Sequence, residues 1–193
     1  MIPAFDIAQL PPVDLDQNGS VPDEAWEDGG SPDPSNQEYG DWHEVSGPEL
    51  DLLLAWETRE LRRLDACSAS PEEFEKNAAE IVSDPEDTGW DATELSEYLD
   101  FGVVSCVAGL NFLGVPTTSS CRGHYGSRED RDVPFVRFVG DEIDEPTWDL
   151  IRTQAQEAGC QLAGSGSGLI QLMGSSCAEL LAFARSVREA RPS

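Results

Sequence analysis

The sequence predicts an α+β fold: a small, mainly antiparallel sheet with helices packed on it, preceded by helices and by an acidic, largely irregular N-terminal arm. Three observations predict it. Residues 1–46 hold eleven acids, six of the thirteen prolines and no Lys or Arg. Residues 47–113 carry apolar residues at helical spacing behind helix-start signals. Residues 114–193 alternate paired strand-like runs with helical ones, an order that favours helices against one face of an antiparallel sheet. The expected organisation is an acidic low-complexity arm over 1–46 and a single α+β domain over 47–193. That domain has a helical part at 47–113 and a strand-rich part at 114–193.

The arm is rich in helix and strand breakers, as in Asp28-Gly29-Gly30-Ser31-Pro32-Asp33-Pro34. Such a composition buries too little apolar surface to offset chain entropy. Phe5, Ile7, Leu10, Trp26, Tyr39 and Trp42 are spaced among the acids. They suit either a partner-binding arm or docking on the chain's own domain.

Ser46, with Pro48 in the first turn, starts a helix. Leu50, Leu53, Leu54, Glu57, Leu61 and Leu64 recur near its period, and it should finish near Cys67. Ser70-Pro71-Glu72-Glu73 opens a second helix, with Phe74, Ala78, Ile81 and Val82 inward, ended by Asp84-Pro85. Asp91-Ala92-Thr93-Glu94 opens a third, expected to run to about Leu113. Its later part is apolar nearly all round, which places it in the core. Gly114 is the stop.

Val115–Cys121 and Val133–Val139 read as two strands of a hairpin joined by a polar loop. Asp144 caps a helix from about Glu145 to Ala158, which Gly159 ends. Residues 160–174 read as strand, Gly-Ser turn, strand. Ser175 or Ser176 caps a last amphipathic helix carrying Leu180, Leu181, Ala184 and Val187.

Net charge is −26 over 193 residues, and it is uneven. Residues 1–100 hold 27 acids and 4 basic residues; residues 101–193 hold 11 acids and 8 arginines. A field of this sign favours basic partners and opposes nucleic-acid phosphates. The five cysteines are odd in number and widely spaced. With no basic-then-apolar leader and no apolar run of roughly 20 residues, they predict a soluble cytoplasmic protein with free thiols and no membrane association.

Chemistry concentrates at Thr117-Thr118-Ser119-Ser120-Cys121-Arg122-Gly123-His124. Cys121 and His124 have a spacing that one turn can bring onto a single ion. Zinc needs three or four ligands. His43 lies in the arm and Cys106 on the core helix, so no metal is assigned. Cys121 beside Arg122 and His124 also suits a nucleophile with its base, which makes Cys121 and His124 the candidate catalytic pair. Glu129, Asp130 and Asp132 are the only acids near them in sequence. A third reading is an anion or nucleotide site. Ser119, Ser120 and Gly123 would donate hydrogen bonds, and Arg122, His124 and Arg128 would supply charge. Ser165 in the Gly164–Gly168 turn would converge on them from a second hairpin. That turn reads equally as a plain hairpin connection.

The Thr117–His124 stretch resembles the TTSSCSGR signature of the wybutosine-synthesising tRNA methyltransferase family. A second likeness follows in the same chain order, at Ala155–Gly166 and Leu169–Ser175, so the resemblance covers residues 103–190. It implies a shared α+β fold, a ligand pocket around Ser119, Ser120, Cys121 and Gly123, and S-adenosylmethionine as cofactor. His124 stands where the family has Arg, and Arg122 where it has Ser.

Two functions follow. The first is an acidic, immunity- or inhibitor-like binding protein that engages a basic protein partner, with a polar pocket at 119–124 and no cofactor. The alternative is an RNA- or nucleotide-modifying enzyme with an S-adenosylmethionine-type pocket. Nucleic acid is a partner only under the alternative.

Overall fold

A computed structural model describes residues 1–7, 13, 44–81, 87, 99–125, 133–141 and 143–191. Among these, five helices and four strands form the predicted α+β arrangement. They are α1 (Gly47–Cys67), α2 (Pro71–Ala78), α3 (Val104–Phe112), β1 (Thr117–Cys121), β2 (Phe135–Val139), α4 (Glu145–Glu157), β3 (Gln161–Gly166), β4 (Leu169–Met173) and α5 (Cys177–Ala190).

The start of α1 follows its sequence signal. The Ser46 hydroxyl accepts the Glu49 N–H, and the Glu49 carboxylate accepts the Ser46 N–H. This reciprocal pair satisfies two of the backbone donors that every helix N-terminus leaves open. Ser70 and Asp144 cap α2 and α4 in the same way, each accepting the N–H three residues on. The last helix departs from expectation. Ser176 occupies its cap position without a side-chain bond. The Glu179 carboxylate accepts instead from the Ser175 backbone N–H and hydroxyl.

All strand pairs are antiparallel, in the spatial order β1-β2-β4-β3. One face carries Val136, Phe138, Ile170 and Leu172, all fully buried. It packs in one cluster with Cys106 and Leu110 of α3, Trp148 and Ile151 of α4, and Leu180, Phe183 and Val187 of α5. The opposite face carries Phe135, Arg137 and Gln171, all half-buried. There Arg137 Nε donates to Gln171 Oε1 across the β2–β4 pair, and its guanidinium lies over the Phe135 ring.

A second core lies on the far side of α3 and α5. Leu50, Leu53, Trp56, Leu61 and Leu64 of α1 meet Phe74, Val104, Ala108, Leu181 and Ala184 there. Helix α3 is thus a middle layer with apolar neighbours on both sides, which explains its lack of a polar face. Gly109 allows its close approach to α5: a Cβ there would lie 3.3 Å from the Cα and Cβ of Ala184.

The third helix is shorter than the sequence pattern implies. Residues 99–103 form a turn, and the helix begins only at Val104; the expected capping box at Asp91–Glu94 lies outside the described residues. The physical reason is a competing cap. Glu57 of α1 is 1% exposed, and its carboxylate accepts from the N–H groups of Gly102, Val104 and Ser105 at 2.8, 3.2 and 2.9 Å. Gly102, at φ +101°, supplies the reversal that aims these donors at it. A continuous helix would commit the same N–H groups to backbone carbonyls.

The beginning of the arm docks on the domain. Ile2 packs on the second core, and the Phe5 N–H donates to the Ser175 carbonyl. The Phe5 ring meets Tyr125 edge-on at 6.4 Å. Leu10, Trp26, Tyr39 and Trp42 lie outside the described residues.

Candidate functional site

Strand β1 ends at Cys121, and the chain then turns sharply through Arg122, Gly123 and His124. Gly123 takes φ +77°, so its N–H folds back to the Cys121 sulfur at 3.3 Å. In register, Ser119 pairs with Arg137, and Ser120 with the buried Val136. Neighbouring strand residues point to opposite faces. Ser119 therefore shares a face with Cys121, while Ser120 faces the helices, where its hydroxyl is buried without a hydrogen-bond partner.

Two acids distant in sequence complete the cluster. Asp100 reaches it from the turn before α3, and Glu75 from α2. Arg122 is the hub. Its backbone N–H donates to Asp100 Oδ2 at 3.4 Å, and its Nη1 is 3.7 Å from Asp100 Oδ1. Its Nε and Nη2 both lie 3.2 Å from Glu75 Oε2. The Arg122 side chain is only 10% exposed, so this positive charge is turned inward and held by two carboxylates. His124 is on the outside, about half exposed, with Nδ1 3.9 Å from Glu75 Oε2. A carboxylate oxygen of Asp100, the Cys121 sulfur and one His124 ring nitrogen all lie within 4.8 Å of one another.

The other thiols are in different surroundings. Burial pushes the Cys160 and Cys177 thiols up to about 12, and Cys106 is driven well above its ordinary range for the same reason. All three stay protonated at neutral pH. Cys121, half-buried, and Cys67, exposed, are the thiols that solvent reaches.

The structure gathers Cys121, Arg122, Gly123 and His124 at one corner of the sheet. It keeps the Gly164–Gly168 turn away from them. Strand β1 is one edge of the sheet and β3, which carries Ser165, is the other. Cys121 pairs with Phe135, at the end of the sheet shared with Met173; the turn adjoins Leu169 and Val139 at the opposite end. The expected convergence of the two hairpins therefore fails on topology. The turn at Ser167 and Gly168, both with positive φ, connects β3 to β4. Arg128, Glu129, Asp130 and Asp132 lie outside the described residues.

Sequence reading missed Asp100 and Glu75. Neither is near Cys121 along the chain, and each sat among many acids with nothing to single it out. Glu57 did carry a signal, a carboxylate on the apolar stripe of α1.

A concave feature lies between α1 and α5. It is a groove of about 690 Å³ lined by Leu54, Ala55, Thr58, Arg59, Arg62, Arg63 and Arg185. Glu60 pairs with both Arg59 and Arg63, Asp87 also pairs with Arg59, and Arg185 donates to Thr58. No helix among the described residues is long and apolar enough to cross a membrane.

No protein-family model matches the chain, and no curated protein or solved structure matches it either.

Proposed function

We propose that this chain is an acidic binding protein of the cytoplasm that engages a basic protein partner, in the manner of an immunity or inhibitor protein. The observation that carries this reading is a net charge of −26, with 38 acids against 12 basic residues, several of which are already paired with the chain's own carboxylates. Arg59, Arg63, Arg122, Arg152 and Arg188 each pair with Asp or Glu of the same chain. A net charge of this sign and size attracts a basic surface and speeds encounter. Arg122, the cation within the 119–124 stretch, is held by Glu75 and Asp100, which weakens the case for a phosphate ligand there.

The test is to isolate what co-purifies with the chain, where a basic protein is expected, and to follow its association kinetics. The association rate should fall steeply between low and physiological salt, and deletion of residues 1–46 should slow it further. Binding that ignores salt and survives the deletion unchanged contradicts the reading.

A second reading is favoured by one observation. Cys121 and His124, at the centre of the methyltransferase-like motif, lie together with the carboxylate of Asp100. This supports an RNA- or nucleotide-modifying enzyme using S-adenosylmethionine, with His124 moving a proton and Cys121 lining the pocket. Calorimetric titration with S-adenosylmethionine checks it: heat that disappears in Cys121→Ala supports the enzyme, and no heat with the intact chain removes it.

A further inference from the structure

We propose that Asp100, Cys121 and His124 form a binding site for a soft divalent cation of the zinc class. This inference is independent of the binding-protein reading above and rests on the geometry of one corner of the fold. Three donors of the types that zinc takes, a carboxylate oxygen, a thiol sulfur and an imidazole nitrogen, lie within 4.8 Å of one another. In a tetrahedral zinc site the ligand atoms sit roughly 3.5 Å apart. Closing that difference needs only side-chain rotation, because His124 is half exposed and Asp100 about a third exposed.

The turn that joins two of these ligands is already shaped for a metal-bound thiolate. The Gly123 N–H points at the Cys121 sulfur at 3.3 Å, and a positive φ at Gly123 keeps it there. An N–H directed at the sulfur is the outer-shell contact that a metal-bound thiolate accepts. The same reversal carries the chain on to His124, so one tight turn presents both ligands.

The surroundings match the outer shell of a zinc site. Glu75 Oε2 faces His124 Nδ1 at 3.9 Å. A carboxylate hydrogen-bonded to one ring nitrogen orients an imidazole and leaves the other for the metal; a shift of His124 by about 1 Å would bring Glu75 into that role. Glu75 is therefore a positioning residue here and Asp100 a ligand. Charge also fits. Two carboxylates and one thiolate against the single guanidinium of Arg122 leave two net negative charges, which a divalent ion neutralises. Arg122 holds Glu75 and Asp100 in place and reduces the repulsion between them while the site is empty. Three protein ligands at an exposed corner leave a fourth position to solvent, the arrangement of zinc sites that bind a further ligand.

The test is titration of the full-length, reduced chain with Co(II), read by the thiolate-to-cobalt charge-transfer band, followed by displacement with Zn(II). The proposal expects one equivalent of cobalt to develop the band and one of zinc to remove it. Cys121→Ser should abolish the band. His124→Gln, a substitution at an exposed position that the fold tolerates, should weaken binding at least tenfold. Glu75→Gln should weaken it by roughly 10- to 100-fold, the range typical of an outer-shell partner. Cys67→Ser should leave the titration unchanged. Absence of the band in the intact chain overturns the proposal. So does a band that persists in Cys121→Ser, or one that His124→Gln leaves at full affinity.

Discussion

Two carboxylates stand near the turn before α3, and they do different things. Glu57 approaches residues 102–105 from inside the molecule, is fully buried, and spends its oxygens on three backbone N–H groups. Asp100 stands at the outer side of the same turn, about a third exposed. Among the described residues its carboxylate meets an N–H from Arg122 and, at longer range, that residue's guanidinium. A buried polar group must be satisfied within the protein or it costs stability. One at the surface can keep a lone pair for a ligand. The inner carboxylate is therefore part of the architecture, and the outer one stands beside Cys121 and His124 in the proposed metal site.

The largest effect should come from the inside. Glu57→Ala orphans three buried donors at the start of α3 and should lower unfolding stability by about 3 kcal/mol or more in chemical denaturation. A loss under about 1 kcal/mol would mean that water or a shifted turn replaces the carboxylate. Next is the hub between the two regions. Arg122→Ala leaves Glu75 and Asp100 facing each other without a cation and should cost roughly 2 kcal/mol.

The comparison also has a pH signature. Burial pushes the Glu57 carboxyl above its ordinary value of 4.5, and its hydrogen bonds to Ser105, Gly102 and Val104 pull it part of the way back. A carboxyl raised in the folded state binds its proton more tightly there than in the unfolded chain. Its contribution is then fully present below 4.5 and is lost as pH rises through the folded value. The stability difference between the natural chain and Glu57→Gln should decline over that window; a difference that grows with pH would contradict the assignment. At the small end, Arg152 and Asp149 form a pair of neighbours on α4 that are both more than half exposed. Arg152→Ala should change stability by less than about 0.5 kcal/mol.

Much of this architecture was legible in the chain itself, because it rests on local signals. Ser46, Ser70 and Asp144 announced their helices through spacing alone, and Gly159 and Gly114 both adopt the positive φ expected of helix stops. The alternation in Val133–Val139 identified the strand and set Val136 and Phe138 on the face opposite Phe135 and Arg137, and the structure buries the former face. What could not be read was set by contacts between distant residues. The start of the third helix at Val104 depends on Glu57, 45 residues before Gly102. The companions of Cys121 and His124 come from α2 and from the turn before α3, and Glu75 is 47 residues from Arg122. The two Gly- and Ser-bearing turns looked alike in sequence, yet strand order sends them to opposite corners of the sheet.

The contrast between an architectural inside and a ligand-binding outside is tested most directly by thermal unfolding with and without Zn(II), in the intact chain and in Cys121→Ser. A metal that binds only the folded state adds about 2.7 kcal/mol at a free concentration one hundred times its Kd. The account predicts that zinc raises the midpoint of the intact chain and leaves that of Cys121→Ser where it was. Equal shifts in both proteins, or none in either, would contradict it.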